Sequence, residues 1–260
     1  MKLKKCDKIS ACMIVKNSSD TLDITMKWAL DNFEEICIVA DVLHFDDTID
    51  KLDDWELRHP DTIKLMYREF DDFSSQMNVC LEMATKEYTC ITSSDEIMEE
   101  VQWDGIIKLM TDKSIDVIGF HRFNLQYDIY HVIPIGYPDM QVRMFKTSKN
   151  IRMNGKVVDE SLDFSNCRLM VLPFHIIHFG HIRNEECLLQ KGRDREIFAN
   201  DDAADGAGLK KHGDKWFVER NNEWDEFKRP LERHYVNAIL EYLDEDSSFL
   251  QARVESNEEH

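Results

Sequence analysis

Glycine and proline are scarce in this chain of 260 residues, 9 and 5 respectively, and they are scattered. A Gly- or Pro-rich stretch would mark a linker, so its absence argues against two separately folding units and for one large domain. That length suffices to bury a substantial core. No run approaches the roughly 18 apolar residues of a membrane-spanning helix, and Met1 to Ser10 lacks the apolar core of a secretory signal. The seven cysteines, at 6, 12, 37, 80, 90, 167 and 187, include no Cys-x-x-Cys pair and mostly sit in apolar segments. That argues against a zinc or disulfide framework and suits free thiols acting as small hydrophobes in a reduced, cytoplasmic protein. Basic clusters are missing too, the longest being Lys2 to Lys5 and Lys210 to His212. Asp and Glu outnumber Lys and Arg by 51 to 32, and the formal charge of −19 repels nucleic acid and anionic membranes in the absence of a local basic groove.

What is present is a regular alternation. Ile9 to Val15, Ile36 to Ala40, Ile63 to Tyr67 and Tyr88 to Thr92 read as short buried strands. Between them, Leu22, Met26, Ala29, Leu30 and Phe33, then Ile49, Leu52 and Trp55, then Phe73, Met77, Cys80, Leu81 and Ala84 recur at helical spacing. Ser18, Ser19 and Asp20 offer caps for the first of these helices. Strands alternating with such helices predict crossover units and a largely parallel sheet. Beyond Glu96 the pattern predicts a helix over Val101 to Met110, a strand at Ile115 to Phe120, and antiparallel ribbon from Phe120 to Ile135. Gln141 to Phe145 and Leu169 to Phe179 read as further strands, and Asn184 to Phe198 as a charged helix. Ala199 to Asp214, small, acidic and without apolar period, reads as a mobile loop. Leu231, Tyr235, Ala238, Ile239 and Tyr242 mark a last amphipathic helix.

The chain is organised around Tyr88 to Glu96, an apolar segment running into Ser93, Ser94, Asp95 and Glu96. As a strand end it puts carboxylates at the carboxyl edge of a sheet, where open α/β sheets bind ligands and where acid suits a metal ion carrying phosphates. The other reading of the same residues is a cap, Ser94 or Asp95, on a helix starting at Ile97.

Several stretches in order resemble one family. Cys12-Met-Ile-Val-Lys-Asn17, Asp20-Thr-Leu22, Glu35-Ile36 leading to Asp41 and Asp46, Phe70-Asp-Asp-Phe73 to Asn78, Ala84-Thr85 and Ser93-Ser-Asp-Glu96 resemble the nucleotide-binding half of family 2 glycosyltransferases. Tyr137-Pro-Asp139, Gln141-Val-Arg-Met-Phe145, Gly155 to Glu160 and His178-Phe-Gly180 resemble acceptor-side segments of its bacterial and phage branch. The resemblance covers about residues 8 to 195. It implies an α/β, GT-A-like (Rossmann-like) fold, a mixed, mainly parallel sheet flanked by helices with a C-terminal helical extension. The corresponding division is 1–198 for the transferase domain, 199–214 for the loop and 215–260 for the extension.

The activity so implied is transfer of a sugar from a nucleotide donor, expected to be a UDP-sugar, to an acceptor hydroxyl with inversion, assisted by Mn²⁺ or Mg²⁺. The leaving diphosphate needs its charge stabilised, commonly by a dication held on carboxylates. By resemblance Val15, Asn17, Asp41, Ser93, Ser94 and Asp95 line the donor. Asp41 accepts from the base, and Asp95 with His178 holds the metal. Ser93 stands where the family's Asp-x-Asp has its first Asp, Met77 where it has an Arg, and Val42, Leu43, His44 and Phe45 replace small loop residues. Lys16, Arg183, Lys191 or Arg195 could compensate for the missing cation. An acceptor hydroxyl needs a base, and the resemblance implies Glu160, with Asp159 next and Asp139 a further candidate. Both Glu160 and Asp159 could instead cap a helix, and His178 could be a satisfied strand-end histidine. Trp103, Tyr127, Tyr130 and Trp216 could stack on a sugar or belong to the core. The acceptor is a glycan, a lipid-linked sugar or, more sharply, a hydroxymethylated base in phage DNA. The rival function is a degenerate GT-A protein that binds nucleotide or glycan without turnover. A nucleotidyltransferase would need a Gly- and Arg-rich loop that Asn17-Ser-Ser-Asp20 does not provide.

Overall fold

The computed structural model describes residues 5–126, 128–132, 139–155, 161–183, 186–190, 209–212, 215–218 and 229–243. In chain order the strands and helices begin β1 (Cys6–Val15), α1 (Leu22–Asn32), β2 (Phe33–Ala40), α2 (Thr48–Arg58), β3 (Ile63–Tyr67), α3 (Phe73–Glu82) and β4 (Tyr88–Ile91). There follow β5 (Glu96–Met98), α4 (Trp103–Asp112), β6 (Val117–Asn124), β7 (His131–Val132) and β8 (Asp139–Lys146). The remainder are β9 (Met153–Asn154), β10 (Ser161–Leu162), β11 (Leu169–His178), β12 (Leu209–His212), β13 (Lys215–Val218), β14 (Arg229–Pro230) and α5 (Arg233–Tyr242).

Eight strands form one sheet in the order β3-β2-β1-β4-β8-β6-β11-β5. The first four are parallel, with Cys12 opposite both Cys37 and Ile91. β8 then runs antiparallel between β4 and β6, β11 lies parallel to β6, and β5 closes the edge antiparallel to β11. This is the expected mixed, mainly parallel, helix-flanked sheet. β1 carries the apolar run because both its faces are covered: Ile9, Ala11 and Met13 lie in one core cluster, and Cys12 meets α3 in the other. Three thiols converge there. Cys80 Sγ donates to the Cys37 and Met13 carbonyls at 3.2 and 3.4 Å, and Cys12 Sγ to the Cys80 carbonyl at 3.6 Å. The neighbouring thiols and burial push the Cys12 pKa up.

Three local expectations are corrected. Glu96–Met98 is a strand, so no helix starts at Ile97, and neither Ser94 nor Asp95 is its cap. Helix α1 is preceded by Thr21 rather than capped by Ser18, Ser19 or Asp20, whose groups are engaged elsewhere. The antiparallel ribbon expected from Phe120 is present over the described residues, β6 running antiparallel to β8 as far as Asn124 and a Leu125–Val132 antiparallel bridge following it. Within 199–214, Leu209–His212 is a strand paired with Lys215–Val218, so the C-terminal part is not purely helical. The rest of that loop, most of the helix expected over 184–198 (residues 186–190 are helical) and the tail after 243 lie outside the described residues. Among the described residues no helix is long and apolar enough to cross a membrane.

Candidate functional site

The carboxyl ends of β1, β2 and β4 and the end of β11 meet around three loops. After Val15 the backbone turns sharply at Asn17, whose φ of 48° is a left-handed conformation that Asn tolerates better than most residues. The turn is fixed from two sides. Asn17 N–H donates to His44 Nδ1 (2.9 Å), and its side-chain oxygen accepts from Phe45 N–H (3.1 Å). Its carbonyl accepts from the Arg183 guanidinium. His44 Nε2–H in turn donates to the Asp41 carbonyl at 2.6 Å, so one neutral imidazole ties the loop after β1 to the loop after β2. Burial holds the His44 pKa below its ordinary value.

Asp41 is 2 % exposed, and the Val15 carbonyl accepts its N–H at 3.0 Å. Its Oδ1 accepts from the N–H groups of Leu43 (3.1 Å) and Phe70 (3.3 Å), and its Oδ2 lies 3.2 Å from Lys16 Nζ. Lys16 also sits over the Phe70 ring, 5.3 Å from its centre. Val42, Leu43, Phe45 and Phe73 leave apolar surface exposed around this carboxylate. Lys16 is thus committed to Asp41, and Arg183 to Asp20 at 2.7 Å. Both brace loops rather than stand as bare cations. Burial opposes the charge on Arg183, but Asp20 and Asp95 outweigh it and hold its pKa above the ordinary arginine value. Met77 is buried in the apolar layer with Cys12, Cys37 and Ile91.

At the end of β4 the two serines have separate tasks. Ser94 is buried, with its hydroxyl 2.7 Å from that of Ser18, while its carbonyl accepts from Thr21 and Thr25 at 2.8 and 3.2 Å. It anchors the loop to the start of α1. Ser93 Oγ donates to Asp95 Oδ1 at 2.6 Å, which turns Oδ2 toward His178 Nε2, 3.5 Å away. The Asp95 carbonyl accepts from Phe179 N–H (2.8 Å), so chain neighbours of both side chains hold the pair together. Gly180 makes the approach possible, since a Cβ there would collide with the His178 imidazole and crowd Asp95 Oδ2. His178 Nδ1 is 2.7 Å from Asn124 Oδ1. An amide oxygen only accepts, so Nδ1 carries a hydrogen, and Nε2 is the ring nitrogen turned toward the carboxylate oxygen.

Beside this pair lies a buried ionic network. Glu96, 4 % exposed, receives Arg143 through both oxygens (2.8 and 2.7 Å) and Arg122 at 3.1 Å. Arg122 Nε also reaches Asp139 at 2.8 Å. Burial alone would raise the Asp139 pKa, but Arg122 and hydrogen bonds from Gln141 and Asn124 outweigh it and hold the carboxyl below its ordinary value. A carboxylate so committed is a weaker proton acceptor than a free one. This network escaped the sequence reading, although an arginine set between apolar neighbours, Arg143 between Val142 and Met144, signals that a partner exists.

The structure therefore brings Val15, Asn17, Asp41, Ser93, Ser94, Asp95 and His178 to one edge. Asp159 and Glu160 lie outside the described residues, as do Tyr127, Lys191 and Arg195. Trp103 is core, packed on Phe33 with its indole N–H on Asn32. Tyr130 is half-buried against the same core, and Trp216 lies in β13. Among the described residues there is no cluster of three or more metal-ligating side chains. A dication at Asp95 and His178 would draw its remaining ligands from substrate oxygens and water, as hard dications bound with phosphates commonly do.

No family model and no curated protein matches the sequence. Among solved structures the chain is similar to S. aureus TarS, at 14 % identity over 65 % of this chain and 36 % of that one, with a TM-score of 0.46. It is also similar to the 1–349 fragment of TarS in complex with UDP-GlcNAc, at 13 % identity over 73 % of this chain and 66 % of that one, again with a TM-score of 0.46. A third is the mannosyltransferase PcManGT from Pyrobaculum calidifontis in complex with GDP-Man and Mn²⁺, at 11 % identity over 96 % and 73 %, with a TM-score of 0.48. The chain spans between 36 % and 66 % of the length of these TarS chains. At such identities and TM-scores the likeness gives no residue of this chain a role.

Proposed function

We propose that this chain is a glycosyltransferase that moves a sugar from a nucleotide-sugar donor, UDP-linked, to an acceptor hydroxyl with inversion. The observation that carries the reading is the facing of Asp95 Oδ2 and His178 Nε2, 3.5 Å apart at a strand-end crevice and uncrowded only because residue 180 is Gly. Two lone pairs aimed at one another repel in the absence of a cation or proton, and one oxygen with one nitrogen is a donor set that Mn²⁺ or Mg²⁺ accepts. Asp95 and His178 would hold that ion. Once bound, it supplies positive charge to the departing diphosphate.

The chain's own residues do the rest. Asp41 receives an N–H of the base, its position set by Leu43, Phe70 and Lys16. Val15 and Asn17 line the nucleoside, and Ser93 orients Asp95 where a first Asp would otherwise add charge. Ser94 keeps this loop fixed to α1. Glu160, with Asp159 beside it, takes the proton of the attacking hydroxyl.

Thermal unfolding against nucleoside diphosphates, each with Mn²⁺ and with chelator, tests the donor site. A ligand at about 100 times its dissociation constant adds roughly 2.7 kcal/mol of stability. UDP is expected to stabilise only with metal, and Asp95→Ala to remove the effect. Failure of every nucleotide under both conditions would sink the proposal. The second reading, binding without turnover, is favoured by Ser93 and by buried Met77 in place of charged residues. Metal-dependent release of UDP from a UDP-sugar distinguishes the two, because a binder releases none.

A further inference from the structure

We infer that Asn124 is the positioning residue that fixes the tautomer of His178, so that the Nε2 lone pair faces Asp95. The inference concerns how the metal pair proposed above is prepared, and so rests on that reading for its purpose, though not for its geometry. His178 on β11 and Asn124 on β6 are direct partners in the parallel register, which brings Oδ1 to 2.7 Å from Nδ1.

An amide can turn over and offer its NH₂ group instead, so the orientation needs its own cause. Asp139 supplies it. Asn124 Nδ2 donates to Asp139 Oδ2 at 3.3 Å, and a carboxylate can only accept. Turning the amide over would set its oxygen against that carboxylate and its NH₂ against the imidazole nitrogen. Asp139 is itself held as a carboxylate by Arg122 Nε at 2.8 Å and by Gln141 Nε2 at 2.7 Å. The order is therefore directional: Arg122 and Gln141 fix Asp139, Asp139 fixes the Asn124 amide, and Asn124 fixes the imidazole. Arg122 also holds Glu96, which neighbours Asp95 in the chain and pairs with His178 across β5 and β11. The same guanidinium thus steadies both members of the pair. Outer partners that orient a metal-binding histidine typically change metal affinity by about 10–100-fold when removed.

The experiment is long-range ¹H–¹⁵N correlation NMR of the full chain labelled at histidine, with the His178 signals identified by their loss in His178→Asn. Without metal, the wild type is expected to show a protonated Nδ1 and a bare Nε2. Asn124→Val is expected to lose that preference and to weaken Mn²⁺ binding, followed by electron paramagnetic resonance, by about 10–100-fold. The wild-type tautomer is read without any substitution, so the test stands even where Asn124→Val fails to fold. An unchanged tautomer in folded Asn124→Val, or a wild type protonated at Nε2, overturns the inference. A wild type with the expected tautomer that takes up no Mn²⁺ supports the positioning role and instead removes the metal from the proposed function.

Discussion

Single atoms decide most of what happens at the crevice. Adding one methyl group at Gly180 would place it against the His178 ring and Asp95 Oδ2. Gly180→Ala is therefore expected to abolish metal-dependent stabilisation by nucleotide, while overpacking costs the fold about 1–3 kcal/mol. Calorimetry with and without Mn²⁺ and UDP separates the two effects. His44 makes a prediction of a different kind. It accepts from Asn17 N–H only as a neutral ring, and it faces Asp41, Asp46 and Lys16, with burial as the dominant influence lowering its pKa. Because the folded pKa lies below the unfolded one, the unfolded chain takes up the proton first. The contribution of His44 is then complete above the ordinary histidine pKa of about 6.5 and declines as pH falls through and below it. Urea unfolding between neutral and mildly acidic pH is expected to show a shallower decline in His44→Gln than in wild type, and parallel curves would contradict this.

Elements are joined here by charge as well as by ladders. Glu96 on β5 holds Arg122 on β6 and Arg143 on β8, three strands otherwise separated by β11 or lying side by side in opposite senses. Glu96→Gln would leave Arg143 without its carboxylate and is expected to cost about 3 kcal/mol by chemical denaturation, the low end for a broken buried pair because Arg122 keeps Asp139. The parallel half of the sheet was legible in the sequence, since β1, β2 and β4 are buried on both faces and so read as continuous apolar runs. β5 was not, because three residues flanked by acid look the same as the start of a helix. Asp95, His178 and Gly180 were visible as a motif, whereas Asn124 and His44 reach partners 54 and 27 residues away, contacts that no local pattern records.

At the scale of the whole molecule, a formal charge of −19 meets a donor that is itself anionic. Nucleotide association is expected to quicken as salt rises toward physiological strength, where the screening length falls to about 8 Å, the opposite of a basic binding groove. Stopped-flow mixing at fixed Mn²⁺ checks the sign. The cysteines add a second whole-molecule property. Six of the seven are buried and Cys167 is half-buried, with Cys12, Cys37 and Cys80 enclosed between the sheet and α3. In the native protein an alkylating reagent should therefore consume one thiol promptly and the rest only as fast as the layers part. The sulfur atoms that hold this layer together thus also serve as a built-in clock for its opening, readable by mass spectrometry thiol by thiol.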